Sequence, residues 1–275
     1  MTGCGISHGA LSVINAIASG KGAAFGISLE TRAEVDICGT GFSLEVNGNP
    51  ANPDFAKQLV LSVCPDASGA KIRTKSNIPA AKGLKSSSAA ANAILLAACS
   101  EAGLEMRTDE MLKNNTRASK TAGVSITGAL DDAAASLLGG LVFSDNTEGQ
   151  IIERRRMPKN YAVVIHVPPD EIPTCTFPAA KFQKYAAESE SLFEKARAGD
   201  IFSAMYENGA LVADALRRAP DTADFALKCG ASAAGISGCG PATGILVEKD
   251  CLHEFFTEFG RKNCITAEIW NGGTL

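Results

Sequence analysis

The sequence predicts an α+β fold in two layers, divided into domains of residues 1–155 and 156–275. Three observations predict it. Strand-like alternation and helix-like periodicity both recur, but not in the regular strand–helix–strand order of a doubly wound sheet. A length of 275 residues suits one or two domains of about 100–200 residues each. A polar, glycine-containing turn over 144–150 and the charged run Glu153-Arg154-Arg155-Arg156 then mark a boundary before a strong strand at 161–167.

The elements follow in order. From 23 to 46, Phe25, Ile27 and Leu29, then Ala33, Val35 and Ile37, recur at every second position, which predicts strands, with Gly39 and Gly41 as turn residues. Asn47-Gly48-Asn49-Pro50 is a turn. Phe55, Leu59, Val60 and Val63 share one side of a short helix over 54–64. Lys71, Arg73 and Lys75 alternate with Ile72, Thr74, Ser76 and Ile78 in a strand that Pro79 ends. Residues 86–102 are alanine-rich, with Ile94, Leu95 and Leu96, and form a helix capped by serines at one end and Gly103 at the other. Helices at 108–122 and 131–138 precede a strand at 140–143. The second domain reads as the strand at 161–167, helices at 178–197, 200–218 and 221–229, and a glycine-rich loop with a strand over 231–247. A helix at 250–261 and a strand at 264–270 complete it.

Composition removes several function classes. At 45% hydrophobic and 20% charged residues the chain is not a disordered one. The formal net charge is −4 and neither half carries a basic excess, so neither nucleic acid nor an anionic membrane is an expected partner. Residues 1–20 contain no Lys, Arg, Asp or Glu, yet Ser7, His8, Ser12 and Asn15 interrupt the apolar run and no basic segment precedes it, so it does not read as a signal peptide. The uncharged stretch 229–247 is rich in Gly, Ser and Thr and holds Pro241, too polar for a membrane span. Nine cysteines without a C-x-x-C pair, and three separated histidines (His8, His166, His253), argue against a disulfide framework or a zinc site. They fit reduced thiols in the cytoplasm.

Three glycine-rich segments remain to be explained. The central one, Pro79-Ala80-Ala81-Lys82-Gly83-Leu84-Lys85-Ser86-Ser87-Ser88-Ala89, lies between a strand and a helix. A glycine loop opening into a helix presents unpaired N–H groups and the positive end of the helix dipole, which suits phosphate. Its serines can cap the helix, and one can reach a phosphate-bound Mg²⁺; a plain N-cap after a loop is the simpler alternative. The third, Gly235-Ile236-Ser237-Gly238-Cys239-Gly240-Pro241-Ala242, needs special backbone angles and close approach of another group. In the first, Ala18–Gly26, Lys21 is the first charge of the chain, flanked by Gly20 and Gly22. No G-x-x-x-x-G-K-[ST] and no strict G-x-G-x-x-G occurs, so neither a P-loop nor a dinucleotide fingerprint is present.

In this order the three segments resemble the motifs of the GHMP kinases, the superfamily of galactokinase, homoserine kinase and mevalonate kinase. The motif P-x-x-x-G-L-G-S-S-A matches Pro79 to Ala89, with Lys85 in place of the middle glycine. P-G-K matches Ser19-Gly20-Lys21 with Ser for Pro, and Gly235–Ala242 is similar to the third motif. Asp132, seven residues before Gly139, matches an aspartate of the galactokinases and mevalonate kinases, with Asp131 as its neighbour. Gly83–Ala89, Gly9–Gly26 with Asn15-Ala16-Ile17, and Gly128–Ala133 together look like the archaeal-type shikimate kinases.

The resemblance implies a two-domain GHMP kinase fold, with an N-terminal domain like ribosomal protein S5 domain 2 and a ferredoxin-like C-terminal domain. It implies ATP-dependent phosphorylation of the shikimate 3-hydroxyl, with ATP and Mg²⁺ as cofactors, on the route to chorismate and the aromatic amino acids. Pro79–Ala89 would bind the phosphates, and Gly235, Ser237, Gly238, Cys239 and Gly240 would close the site. Ser87 would hold the metal, because the glutamate some members place eleven residues before the aspartate is Thr121 here. Asp132 would accept the hydroxyl proton, and Lys21 would pair with Asp132 and hold it ionised. A carboxylate pair at a helix start is also a common helix stabiliser. The cations Arg154, Arg155 and Arg156 read as a solvated run and not as the partner of the shikimate carboxylate.

Three rivals bear weighing. Another GHMP kinase, of homoserine or mevalonate type, shares the motif set, and Lys85 with the triple serine separates them. A noncatalytic nucleotide-binding relative conflicts with the presence of both Asp132 and Lys21. Gly5-Ile6-Ser7-His8-Gly9 fits the G-x-S-x-G of a serine hydrolase, but a nucleophile elbow must follow a central strand, for which four residues leave no room.

Overall fold

The computed structural model describes residues 2–125, 127–169 and 179–273. The chain opens with a long antiparallel pair, β1 (Gly3–Ile14) and β2 (Lys21–Asp36), in register from Gly3 opposite Val35 to Ile14 opposite Ala23. On its other edge β2 divides between two antiparallel partners. Its C-terminal half pairs with β5 (Gly69–Ser76) and its N-terminal half with β6 (Leu141–Asp145). β3 (Gly41–Val46) runs parallel to β5 and carries β4 (Asn49–Ala51) beyond it, while β7 (Gln150–Arg155) flanks β6. A second, antiparallel sheet has the order β11-β8-β10-β9, from β8 (Tyr161–His166), β9 (Ala233–Ile236), β10 (Thr243–Glu248) and β11 (Cys264–Glu268).

β1 is the element that the alternation of apolar residues misses. Its inward positions are Gly3, Gly5, Ser7 and Gly9, not large hydrophobics. Their smallness has a physical cause: α2 (Ser86–Ala102) lies directly on the strand, and a Cβ at Gly3 or Gly5 would overlap the backbone of Ala97 or Ala93. α2 answers with Ala91, Ala93, Ala97 and Ala98, all fully buried, so helix and sheet approach as two small-residue surfaces. Ser7 is itself buried and donates its hydroxyl to the Ser136 carbonyl at 2.8 Å, which makes it a packing residue and no nucleophile. Around α2 pack α1 (Asp54–Val63), α3 (Thr108–Thr121) and α4 (Leu130–Leu138).

The main core lies between the two sheets and is shared by both. Leu11, Phe25 and Phe143 of the large sheet meet Val163 and Leu246 of the small one. Phe193 of α5 (Ala186–Arg197) and Met205 of α6 (Ile201–Ala215) join the same cluster. Phe143 and Phe193 pack edge to face at 5.6 Å, and each buried ring stabilises the fold by about 1.5–3 kcal/mol. The small sheet alternates as a two-faced sheet must: Val163 and Ile165 face this core. Val164 and Ile245 face a second cluster with Ala226 of α7 (Asp221–Lys228) and Phe255 of α8 (Leu252–Phe259).

The alternating stretch 23–46 is two strands that turn at Gly39 and Gly41, as expected. Other expectations change. Of the helix expected at 178–197, residue 178 lies outside the described residues, 179–185 is a 3-10 turn, and the α-helix begins at Ala186. The charged run is not all solvated: Arg154 sits in edge strand β7 and donates from Nε to the Gly139 carbonyl at 2.8 Å and from its guanidinium to those of Leu138 and Asn271. Burial holds its pKa below the ordinary value. The cysteines among the described residues are free, and Cys175 lies outside them. No described helix is long and apolar enough to cross a membrane.

Candidate active site

Two glycine-rich segments converge in one cleft, and hydrogen bonds lock them together. After β5 the chain passes through Ala81 and Gly83, both at positive φ, and Lys85 (φ 64°, ψ 30°) stands as the left-handed N-cap of α2. No side chain caps this helix end, contrary to the expected serine cap. The serines instead occupy its first turn, and Ser86, Ser87 and Ser88 line the cleft. The first amides of a helix have no partner within it, so this end offers N–H groups and the positive dipole end to an anion. The third segment folds over the loop: Ser237 Oγ donates to the Gly83 carbonyl at 2.8 Å, and the Ala242 amide to that of Lys82 at 3.1 Å. It is also tied to the end of β1, through the Gly238 amide on Ser12 Oγ (3.1 Å) and Asn15 Nδ2 on the Gly238 carbonyl (2.8 Å).

The acidic pair enters from α4. Gly128 and Ala129, both at positive φ, turn the chain into this helix so that Asp131 and Asp132 fall in its first turn. Asn92 Nδ2 of α2 donates to the Ala133 carbonyl at 2.9 Å, and Asn115 Nδ2 of α3 to the Asn92 Oδ1 at 2.7 Å and to the Ser88 carbonyl at 3.1 Å. This buried amide chain fixes the start of α4 against the start of α2. Asp131 points inward, is buried, and accepts from Asn146 Nδ2 at 2.9 Å. Burial and the neighbouring Asp132 carboxylate push its carboxyl up to about 7. Asp132 points to the loop, with its Oδ1 3.0 Å from Lys85 Nζ.

The expected ion pair is therefore made by a different lysine. Lys21, at the start of β2, is 2.5 Å from Glu190 of α5 at the surface and does not line the cleft, so it is not the partner of Asp132. Of the other expected site residues, Ala81, Gly83, Lys85, Ser86, Ser87, Ser88, Asp132, Gly238, Cys239 and Gly240 line the cleft. Leu84 and Ala89 are core residues, and Ser237 works from behind through its hydroxyl. Lys82 is buried and donates to the carbonyls of Pro168 and Pro169 at 3.0 and 2.9 Å, and Gly235 packs against Met205 of α6. Pro79 and Ala80 lie in the loop outside the cleft. Burial pushes the Cys239 thiol up to about 12, so it stays neutral. Sequence reasoning missed Ser12, Asn92 and Asn115 as the frame of the site and met Asn15 only within the family resemblance, without a role; a lone uncharged amide or hydroxyl does not announce its contacts.

Among the described residues no group of three His, Cys, Asp or Glu side chains could hold a metal by itself. The donors in the cleft are the Ser87 hydroxyl and the Asp131 and Asp132 carboxylates, hard oxygen ligands that fit Mg²⁺ arriving on a nucleotide.

Comparison with known proteins identifies relatives over nearly the whole chain. Residues 54–140 match the family model of the GHMP kinases N terminal domain. The chain is 39% identical to a shikimate kinase of Methanothrix thermoacetophila, over 90% of this chain and 86% of that one. It is 38% identical to a shikimate kinase of Methanocella arvoryzae, over 98% and 95%. Among solved structures it is similar in fold to Lactococcus lactis galactokinase complexed with galactose (TM-score 0.78, 14% identity, 99% and 95% covered). It is likewise similar to Methanococcus jannaschii mevalonate kinase (TM-score 0.76, 15% identity, 98% of each chain covered).

Proposed function

The chain belongs to the archaeal-type shikimate kinases of the GHMP kinase superfamily, and from that premise we propose how its cleft transfers the γ-phosphoryl group of ATP to the 3-hydroxyl of shikimate. One observation carries the reaction class: the open N-terminus of α2 and the Asp132 carboxylate face the same cleft. Phosphoryl transfer asks a protein mainly for positioning and for stabilised charge. The Gly83–Ser88 segment supplies both, through free first-turn amides and the helix dipole. Asp132 accepts the proton as the shikimate oxygen attacks the γ-phosphorus. Ser87 would hold Mg²⁺, which would neutralise phosphate charge when bound with ATP. Gly238, Cys239 and Gly240 close the cleft against the end of β1, where Ser12 and Asn15 complete the wall.

The likeness to two archaeal shikimate kinases supports this acceptor, whereas the galactokinase and mevalonate kinase likenesses, at 14% and 15% identity, speak for the fold alone. A cytoplasmic setting fits the free thiols among the described residues. The test is ADP release from Mg-ATP with shikimate, homoserine and mevalonate offered separately. Turnover with shikimate alone is the expected result, and turnover with another of the three in its place overturns the acceptor assignment.

A further inference from the structure

Lys85 holds a conformation that its residue type disfavours. It is a non-glycine residue at φ 64°, ψ 30°, standing where the resembling motif has glycine. The left-handed region costs an L-residue about 1–2 kcal/mol, and such strain persists where the surroundings impose it. The strain places a long cationic side chain inside the cleft, with only 7% of it exposed. Its Nζ lies 3.0 Å from Asp132 Oδ1 and against Gly238, where a Cβ would come within 2.6 Å of it. Asp132 Oδ1 has no hydrogen-bond partner beyond this ion pair among the described residues. Lys21, meanwhile, is spent on Glu190 at the surface, with 28% and 53% of the two side chains exposed.

We propose that Lys85, and not Lys21, is the positioning cation of the phosphoryl-transfer site, aiming the Asp132 carboxylate at the acceptor hydroxyl. The inference rests on the phosphoryl-transfer reading above and relocates its cation from the first glycine-rich segment to the second. In the step itself, the acceptor oxygen forms a bond to the γ-phosphorus and the bond from that phosphorus to the β-phosphate oxygen breaks. The electron pair leaves on ADP, and the hydroxyl proton passes to Asp132. Lys85 stays protonated throughout and carries no proton in the step. Burial works against its charge, but Asp132, Asp131 and the hydrogen bond to Asp132 outweigh burial and raise its pKa above the ordinary lysine value. Gly238 is then more than a turn residue: with no side chain of its own, it leaves the space that Nζ occupies, so the third segment sets where the cation sits.

Without the cation the Asp132 carboxylate loses the contact that fixes its direction and is free to turn away from the acceptor. The experiment is kcat and KM at a single pH, with Mg-ATP and shikimate, for the full-length wild type, Lys85→Met, Lys85→Arg and Lys21→Met.

Lys85→Met is expected to lower kcat by roughly 10²-fold, the scale for one preorganised charge partner. Its KM for shikimate should stay within about threefold of wild type, because the lost interaction positions the base and does not bind the substrate. Lys85→Arg should recover most of kcat, and Lys21→Met should keep kcat within about threefold, since a surface ion pair contributes little. The double variant Lys85→Met/Asp132→Asn should lose little more activity than either single one, as for residues acting as a unit. It should also melt above Lys85→Met, because the carboxylate left unpaired is gone. An unchanged kcat in Lys85→Met, or a 10²-fold loss in Lys21→Met, overturns the inference while wild-type turnover leaves the phosphoryl-transfer reading intact. If Lys85→Met does not fold, the Lys85→Arg and Lys21→Met rates decide. Wild type inactive on shikimate overturns both.

Discussion

Replacing Gly83 by alanine tests whether the loop and the third segment act as one body. Gly83 sits at φ +82°, so alanine first costs about 1–2 kcal/mol for the left-handed backbone. Its Cβ would overlap the Ser237 carbonyl oxygen and stand 3.1 Å from the Gly240 amide nitrogen. Backbone atoms cannot swing aside as a side chain does, so the third segment must move off the loop. That movement strains the Ser237 Oγ to Gly83 bond and the Ala242 amide to Lys82 bond, at about 0.5–1.5 kcal/mol each. The total is roughly 2–5 kcal/mol, which for a domain of this size lowers Tm by roughly 5–15 °C. The same separation loosens the phosphate end of the cleft, and even about 1.4 kcal/mol of it raises the Kd for Mg-ADP about tenfold. Thermal melts and calorimetric titration with Mg-ADP read both numbers. A melt within about 2 °C of wild type with unchanged ADP affinity refutes the reasoning, since the two segments would then move independently.

Three further outcomes are expected. Asp132→Asn should bind Mg-ADP nearly as wild type while kcat falls by roughly 10²-fold or more, the scale of a lost general base; unchanged turnover removes it from that role. Ser87→Ala should shift the Mg²⁺ titration of activity to higher concentration, and an unaltered titration takes the hydroxyl out of the metal shell. Asp131 carries a stability slope of known sign. Its folded carboxyl, pushed up to about 7 by burial and Asp132, holds a proton that the unfolded chain, near 3.9, has already lost. The advantage is full below about pH 4 and is gone once the pH has risen through 7. Wild type should therefore lose Tm relative to Asp131→Asn between pH 5 and pH 8; an equal difference at both contradicts the burial argument.

The helices and the inner strands of this fold were legible because their burial is written in apolar periodicity. The alanine-rich α2, buried on most sides, was legible instead from its helix-favouring composition and its Gly103 cap, with φ 65°. β1 was not legible, for its inward face is glycine and serine, chosen by the closeness of α2 and not by hydrophobicity. Edge strand β7 hid behind charges, which is how sheet edges are commonly protected. In the site, the glycine segments announced themselves, and Pro79–Ala89 and Gly235–Ala242 converge while Ala18–Gly26 stays outside the cleft. The identity of the cation at Asp132 did not announce itself, because it depends on which way two lysines point. Lys21 begins a strand beside α5 and finds Glu190, while the backbone at Lys85 turns its side chain inward. The one hint in the sequence was a lysine at a glycine's place.

The most direct measurement is the structure of the product. The full-length protein is given Mg-ATP and shikimate, and the phosphorus and proton spectra of the mixture are read by NMR against the same mixture with Asp132→Asn. The account predicts a single new phosphate ester on the shikimate C3 oxygen, formed with one ADP per ester and about 10²-fold more slowly by the variant. An ester at another hydroxyl, inorganic phosphate in place of any ester, or an equal rate from Asp132→Asn would contradict it.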